Sequence, residues 1–334
     1  MGLKVVRGKT LPIGADLGST AVKLAQLRRC ESNFELLAAG SEDIPQDCRS
    51  DFQNRLQFIS QSIRKIVKSH PFRGRHAILA IPAADTFLQH VKLPIMPAEQ
   101  IAKALPAELQ GKLPFPAEEA IIRHVVAGDS RGEGDTRQEV IAVAVGRSTI
   151  DRYLSMARRA KLDVVGVNIE SCAIVECFAR LFRRAADRKR TVLFVDLGAA
   201  STQVVLTQGG QIAFARNLSC GADALDTAVA EGMGIPVNQA QALRRDILAG
   251  DKAGAAEDEL YHLLETPMAA IADELTQCLR YYESVFTNGG VERAIFVGGG
   301  AYDKRLCQSL AQRLNLPAQI GDPLMRVKRV DGAG

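Results

Sequence analysis

The chain has 334 residues, 42 Lys and Arg against 38 Asp and Glu, and a formal net charge of +4. Its 47% hydrophobic and 24% charged residues are those of an ordinary soluble globular protein and exclude global disorder. So small a positive excess gives little support to nucleic-acid binding, and the length suggests two domains or one domain with a large insert.

Seven cysteines are scattered without a CxxC pair, which reads as reduced thiols and not as a disulfide framework. The five histidines form no HxxxH or CxxC…H pattern, so no zinc site is expected. No basic start is followed by an apolar h-region, and no uncharged apolar run reaches the ~18 residues of a spanning helix. Neither a signal peptide nor a membrane span is therefore expected.

Residues 1–10 contain Gly2 and Gly8-Lys9-Thr10, which tempt a phosphate-loop reading. That spacing is one residue too long for GxxxxGK[ST] and precedes the first strand, so a basic N-terminal segment is expected. Leu11–Asp16 is an apolar run ending in acid, Leu17-Gly18-Ser19-Thr20 is turn-like, and Ala21–Leu27 resumes a strand pattern. Phe34–Ala39 reads as a third strand. Leu56, Ile59, Ile63, Ile66 and Val67 give Phe52–Val67 helical spacing, and His76–Ile81 reads as a strand closed by Pro82.

Residues 83–166 have the pattern of a compact insert. Phe87–Leu93 alternates as a strand, Ala98–Leu109 is helical with a break or kink at Pro106, and Leu113-Pro114-Phe115-Pro116 is a rigid bend. Ala120–Ala127 and Glu139–Val145 read as strands joined by a polar loop at Asp129–Gln138. Ser148–Ala160 and Ser171–Ala186 read as helices, the second with a basic end expected to be a solvated face. Val192–Asp196, Gln203–Thr207, Ile212–Ala215 and Arg293–Val297 read as strands. The segment from Gly221 to Leu279, interrupted near 250–255, and that from Tyr302 to Leu314 read as helical.

Two segments share one frame. Ile13-Gly14-Ala15-Asp16-Leu17-Gly18 and Phe194-Val195-Asp196-Leu197-Gly198 each end a buried strand on a carboxylate and place a Gly in the following turn, with the acids 180 positions apart (196 − 16). A Gly there lets backbone approach a ligand, and turn N–H groups suit phosphate oxygens. A carboxylate beside such a turn suits Mg²⁺, which keeps several waters and takes one or two protein carboxylates. A third signal, Ile295-Phe296-Val297-Gly298-Gly299-Gly300-Ala301, lets a flat group such as adenine or ribose lie against backbone, or else serves only close helix packing.

On these residues the chain resembles the actin-like ATPase superfamily and, within it, the PilM family of type IV pilus assembly proteins. The two Asp-Leu-Gly turns and the triple-Gly strand resemble its phosphate-1, phosphate-2 and adenosine motifs, and Ile13–Leu24 is close to the family's GxDxGSxxVK wording. Ile81-Pro82, Val91-Lys92-Leu93-Pro94 and Leu113–Ala120 resemble its small extra domain. Val167-Asn168-Ile169-Glu170-Ser171 stands where relatives read close to DIE.

The resemblance implies a two-lobed α/β actin-like ATPase fold with a small α+β, SHS2-like insert in the first lobe. It divides the chain into a first lobe at 11–82, the insert at 83–166, a connecting helix at 167–190 and a second lobe at 191–334 with a returning C-terminal helix. It implies ATP or ADP with Mg²⁺, the ion held by Asp16 and Asp196 through water. Gly18, Ser19, Thr20 and Lys23 would approach phosphates from one side and Gly198, Ser201 and Thr202 from the other, with Gly298, Gly299 and Gly300 bordering the nucleoside. Glu170 falls where the superfamily orients the attacking water; it reads equally as an acid favouring a helix N-terminus. Relatives' A-E-x-x-K ribose contact is here Ala240-Gln241-Ala242-Leu243-Arg244, so Gln241 and Arg244 would take that place.

The implied role is a cytoplasmic scaffold at the inner membrane, with slow ATPase activity at most. It would capture the short N-terminal cytoplasmic peptide of a PilN-like membrane partner in a groove with candidate residues Leu93, Ile95, Ile101 and Leu105. Other pilus platform proteins and self-association are further expected contacts, with no nucleic acid and the membrane reached only through the partner. The alternatives are an FtsA-like or GspL-like scaffold of another membrane machine, and a degenerate module without nucleotide turnover. The tail Val327–Gly334 is too short and polar for FtsA's membrane-targeting helix, and GspL's transmembrane segment has no counterpart.

Overall fold

The computed structural model describes residues 8–31, 33–130, 137–182, 184–249, 255–286, 290–325, 327–330 and 332–333. The first seven residues of the N-terminal segment, most of the expected loop at 129–138 and most of the interruption at 250–255 lie outside them. The chain begins β1 (Lys9–Thr10), β2 (Ile13–Leu17), β3 (Ala21–Cys30), β4 (Asn33–Asp43), α1 (Phe52–Ser69) and β5 (His76–Ile81). It continues through β6 (Phe87–Pro94), α2 (Ala98–Glu108), β7 (Ala120–Ser130), β8 (Arg137–Gly146), α3 (Arg147–Arg159), β9 (Asp163–Ile169) and α4 (Glu170–Phe178). There follow β10 (Thr191–Leu197), β11 (Thr202–Gln208), β12 (Gln211–Leu218), α5 (Ala222–Met233), α6 (Val237–Ala249) and α7 (Ala255–Val285). Last come β13 (Arg293–Val297), α8 (Lys304–Leu314), β14 (Ala318–Ile320) and β15 (Val327–Arg329).

Three sheets organise these elements. The first has the order β15-β4-β3-β2-β5-β9 with β1 paired to β3, the second β12-β11-β10-β13-β14, and the third β6-β8-β7. Around β2 and β10 the first two repeat one topology: a leading strand pairs antiparallel with the next strand in sequence and parallel with a later one. Helix α1 starts because the Asp51 carboxylate accepts the Asn54 N–H at 2.7 Å. Its apolar stripe, Leu56, Ile59, Ile63, Ile66 and Val67, is buried beneath the first sheet together with Tyr153, Met156 and Ala157 of α3.

This packing corrects the expected insert boundary. Helix α3 belongs to the first lobe's core, and β9 completes the first sheet by pairing parallel with β5, so the separate small sheet ends at Gly146 and not near 166. The chain also returns at its end as a strand, not a helix: β15 pairs parallel with β4, and Ala39 N–H donates to the Ala333 carbonyl. Residues 327–330 and Ala333 thus join the first sheet, and not the second lobe. The helix expected over Ser171–Ala186 stops at Phe178 and gives way to 3-10 turns at Ala179–Phe182 and Ala185–Lys189. Crowded like charges disfavour an extended helix there, and the Asp187 carboxylate bends the chain by accepting the Arg184 N–H at 2.9 Å. Conversely, α2 runs through Pro106, which stands in its last turn.

The third sheet faces two ways. One side packs α2 in a small core of its own. The other joins the second lobe, whose core includes Ala127 and Ile141, while the Phe286 ring lies against Gly128. Polar contacts fix that seam. His90 Nδ1 is 3.0 Å from Glu139 Oε1 and its Nε2 3.2 Å from the Ala215 carbonyl oxygen, and the ring stacks on Phe214 at 4.7 Å. Tyr281 donates to Glu139 at 2.7 Å, and Asn217 Nδ2 donates to the Ala83 and Thr86 carbonyls at 3.2 and 3.3 Å.

Candidate functional site

The two equivalent hairpins, β2–β3 and β10–β11, put their carboxylates into one cleft. Asp16 stands in register with Lys23, whose Nζ is 3.5 Å from Asp16 Oδ2. Asp196 stands in register with Gln203 on one side and Val297 on the other. Gly298 follows Val297 with φ +86°, and a Cβ there would collide with Asp196 Oδ1, so only glycine fits against that carboxylate.

Each turn has its carbonyls engaged from behind. In the first, the buried Arg55 of α1 donates to Leu17 O at 2.6 Å and Gly18 O at 2.9 Å, and its other nitrogen reaches Tyr153 Oη at 3.4 Å. In the second, the N-terminus of α5 does the same work: Ala222 and Asp223 N–H donate to Gly198 O and Ala199 O, both at 2.9 Å. A Cβ at Gly221 would run into Ala199 O, which requires glycine at that join. Arg55 and Gly221 are site residues that motif reading missed. Their signal was slight: a basic residue on an otherwise apolar helix face, and a Gly before a helix.

Glu170 opens α4 beside both turns. Its Oε2 accepts the Ala83 N–H at 3.1 Å and a hydrogen bond from the Gln203 side-chain amide, whose own oxygen accepts from Ser171 Oγ at 2.7 Å. Burial, and then the charges of Asp16 and Asp196, push the Glu170 carboxyl up to about 8. Burial and Asp16 push Asp196 up to about 6, with Lys23 opposing. The ligand-free cleft thus crowds negative charge, which opposes ionisation of Glu170.

That excess fits a divalent cation. Among the described residues no three His, Cys, Asp or Glu side chains lie close enough to hold a metal alone. An ion here would take Asp16 and Asp196 and draw its remaining ligands from water and substrate oxygens, as Mg²⁺ does.

Other expected contacts land differently. Ser19, Thr20 and Ser201 are half-buried at the turns, and Gly298 and Gly299 are exposed. Thr202 is fully buried and donates to the Cys220 carbonyl at 2.7 Å, so its hydroxyl faces the core and not the cleft. Arg244 is also turned inward. Its guanidinium pairs with Asp226 of α5 and lies 3.9 Å from Asp303, the N-cap of α8, which also accepts from Tyr261 of α7. In this arrangement Arg244 is committed to its acids and not presented as a ribose contact, because a buried cation is costly to separate from its partners. Gln241 lies half-buried on the same helix. The expected partner groove is corrected too: Leu93, Ile101 and Leu105 are 3%, 1% and 0% exposed in the insert's own core, whereas Ile95 is 58% exposed. A separate recess of about 700 Å³ between α8 and β14 is lined by none of these residues.

Two lobes of repeated topology, paired acid-bearing hairpins and a glycine turn beneath the second acid define an actin-like fold. The chain belongs to the PilM family: the model described as "Type IV pilus assembly protein PilM" matches residues 14–332. Among solved structures it is similar to the PilM-PilN type IV pilus biogenesis complex, at 20% identity and TM-score 0.79, covering 96% of this chain and 90% of that one. It is also similar to the ethanolamine utilization protein EutJ from Carboxydothermus hydrogenoformans, at 14% identity, TM-score 0.56 and coverage of 94% and 85%. MreB5 of Spiroplasma citri bound to ADP matches at 12% identity, TM-score 0.52 and coverage of 94% and 92%. No helix among the described residues is long and apolar enough to cross a membrane.

Proposed function

We propose that this chain is a nucleotide-binding scaffold of the type IV pilus inner-membrane platform, holding ATP or ADP with Mg²⁺ in the cleft. It captures the N-terminal cytoplasmic peptide of a PilN-like membrane protein beside the insert. The observation that carries the reading is the convergence of Asp16, Asp196 and Glu170 on two matched turns, in a chain of the PilM family. The nucleotide seen with the MreB5 relative and the partner in the PilM-PilN complex support it. Asp16 and Asp196 would hold the metal, which when bound supplies charge neutralisation for the phosphates. Lys23 and the turns at Gly18–Thr20 and Gly198–Ser201 orient the phosphates, and Gly298–Gly300 accept the nucleoside face.

Binding is favoured over turnover. A general base must give up its proton, and in the ligand-free cleft burial and the charges of Asp16 and Asp196 oppose that for Glu170. A scaffold whose occupancy sets lobe closure needs no fast hydrolysis. The partner would supply the membrane anchor, and Ile95 is the exposed apolar side chain offered to its peptide.

Two titrations test this. ATP with Mg²⁺ should bind the full chain and lose at least about tenfold in affinity in Asp196→Ala, as expected for removal of a metal-holding carboxylate. The partner peptide should bind with different affinity in the presence and absence of ATP and Mg²⁺. Unchanged ATP affinity in the variant removes the cleft assignment, and equal peptide affinity removes the coupling.

A further inference from the structure

The end of the first sheet remote from the cleft carries charge that the scaffold reading leaves unused. Strand register places Lys9 opposite Arg29, Arg29 opposite Phe34, and Phe34 beside Val327, so four neighbouring strands contribute to one row. Lys328 and Arg329 follow on the edge strand β15 and point to its opposite faces, Lys328 lying opposite Glu35 and Arg329 opposite Leu36. The buried Gln26 ties the loop before β5 to the same end: its amide donates to the carbonyls of Leu11 and Arg73 at 3.0 and 2.8 Å and accepts the Arg73 N–H at 2.8 Å.

Lys9, Arg29, Arg73, Arg75, Lys328 and Arg329 are all exposed, and among the described residues none lies within ion-pair distance of an acid, although Lys328 acts on the Glu35 carboxylate opposite it at longer range. Of the nearby acids, Glu35 pairs with Arg28, while Asp163, 3.1 Å from His76, and Glu31 at the β3–β4 turn are exposed. Six exposed cations against the exposed acids Glu31 and Asp163 leave this end of the sheet net positive. Met325 and Val330, 67% and 36% exposed, flank the basic edge strand.

We propose that this end of the sheet binds an anionic membrane surface directly. The cations come from four separate segments and span roughly 15 Å across the strands, an array suited to a plane of headgroups. Exposed apolar side chains beside a basic cluster are the composition that seats a protein at a lipid interface. This end lies about 20 Å along β3 from Lys23, six residues at the strand rise, so it engages lipid without involving the cleft. The chain then touches the bilayer itself, in addition to any anchor supplied by a partner, and orients the cleft away from it.

The test is sedimentation of the full chain with phosphatidylcholine vesicles, with and without about 30% phosphatidylglycerol, at about 0.1 M salt. Binding is expected only to the anionic vesicles and is expected to be lost in high salt. The pair Lys328→Glu and Arg329→Glu should weaken it by at least about tenfold, at roughly fivefold per charge removed. Its thermal midpoint and ATP affinity should stay unchanged. Lys103→Glu with Lys112→Glu, an equal charge change on the insert, should leave vesicle binding intact. No binding, equal binding to neutral vesicles, equal loss in the insert pair, or tighter binding to a single-stranded oligonucleotide than to vesicles would each overturn the proposal.

Discussion

Lys23 and Gln203 occupy the same place in the two copies of the hairpin, 180 residues apart (203 − 23), each in register with the carboxylate of its own copy. Their roles have diverged. Lys23 is exposed and pairs with Asp16, whereas Gln203 is buried and fixes Glu170 from one end of its amide and Ser171 from the other. One copy supplies charge to the cleft and the other supplies alignment.

Replacing Gln203 by Leu should therefore disturb Glu170 more than the metal site. It removes two hydrogen bonds in a buried setting, so a stability loss of about 1–3 kcal/mol is expected from urea unfolding. ATP affinity should change little, and any basal hydrolysis should fall. A variant whose ATP affinity collapses without loss of stability would assign Gln203 to the ligand instead.

The cleft carboxylates predict a pH dependence with a definite sign. Glu170 is held near 8 against an ordinary 4.5, and Asp196 near 6 against 3.8. Between those values the folded chain holds protons that the unfolded chain has released, so stability falls as pH rises from about 4 to 8. The ligand-free protein should melt at a lower temperature at pH 8.5 than at pH 5.5. Glu170→Gln should flatten the upper part of that slope, an effect on the order of 2 kcal/mol.

Gly298→Ala is expected to be severe for a single methyl group. The position has φ +86°, and the new Cβ would press on the Asp196 carboxylate. A cost of about 2 kcal/mol or more is expected, together with loss of Mg²⁺-dependent nucleotide binding. Gly234→Ala, also at positive φ but with open space around it, should cost the backbone strain alone. Calorimetric melting of the pair separates strain from collision.

Arg244→Met should destabilise by about 3–5 kcal/mol, because it strands Asp226 and Asp303 in a buried site. Adding Asp226→Leu should recover part of that loss. Direct ribose contact by Arg244 would instead show as reduced ATP affinity at unchanged stability, measured by denaturant titration beside ATP binding.

In the insert, burial separates packing from recognition. Leu105 is fully buried, so Leu105→Ala should cost about 2–5 kcal/mol. Ile95→Asp, at an exposed position, should leave the melting temperature unchanged and weaken partner-peptide binding at least about tenfold, near the loss of one buried apolar side chain. Tight peptide binding by the Ile95 variant would move the recognition surface elsewhere.

The hairpin turns were legible because they occur twice: one Asp-Leu-Gly is an ordinary turn, and its recurrence 180 residues later is not. The same offset would have located Gln203, which alone reads as a polar residue in a strand. Thr202 and Arg244 were misplaced because a motif gives spacing along the chain and not the direction a side chain takes. Cys220 and Asp226, the partners that draw them inward, lie on other elements. Strand β9 was hidden because its partner β5 lies more than eighty residues earlier, with the small sheet between them. Leu93, Ile101 and Leu105 show the same limit, since apolar spacing alone does not distinguish a core from a groove.

The third sheet is covalently part of the first lobe, yet His90, Glu139 and Gly128 are fastened to Ala215, Tyr281 and Phe286 of the second. Mechanically this closes a ring of three bodies, and a ring has fewer independent motions than a simple hinge. A rotation that widens the cleft must either shear the His90–Phe214 stack or swing the small sheet with the second lobe, flexing the crossings near Pro82 and Gly146. The tilt of that sheet is thus geared to the width of the cleft, and any peptide held on the sheet rides on the same gear.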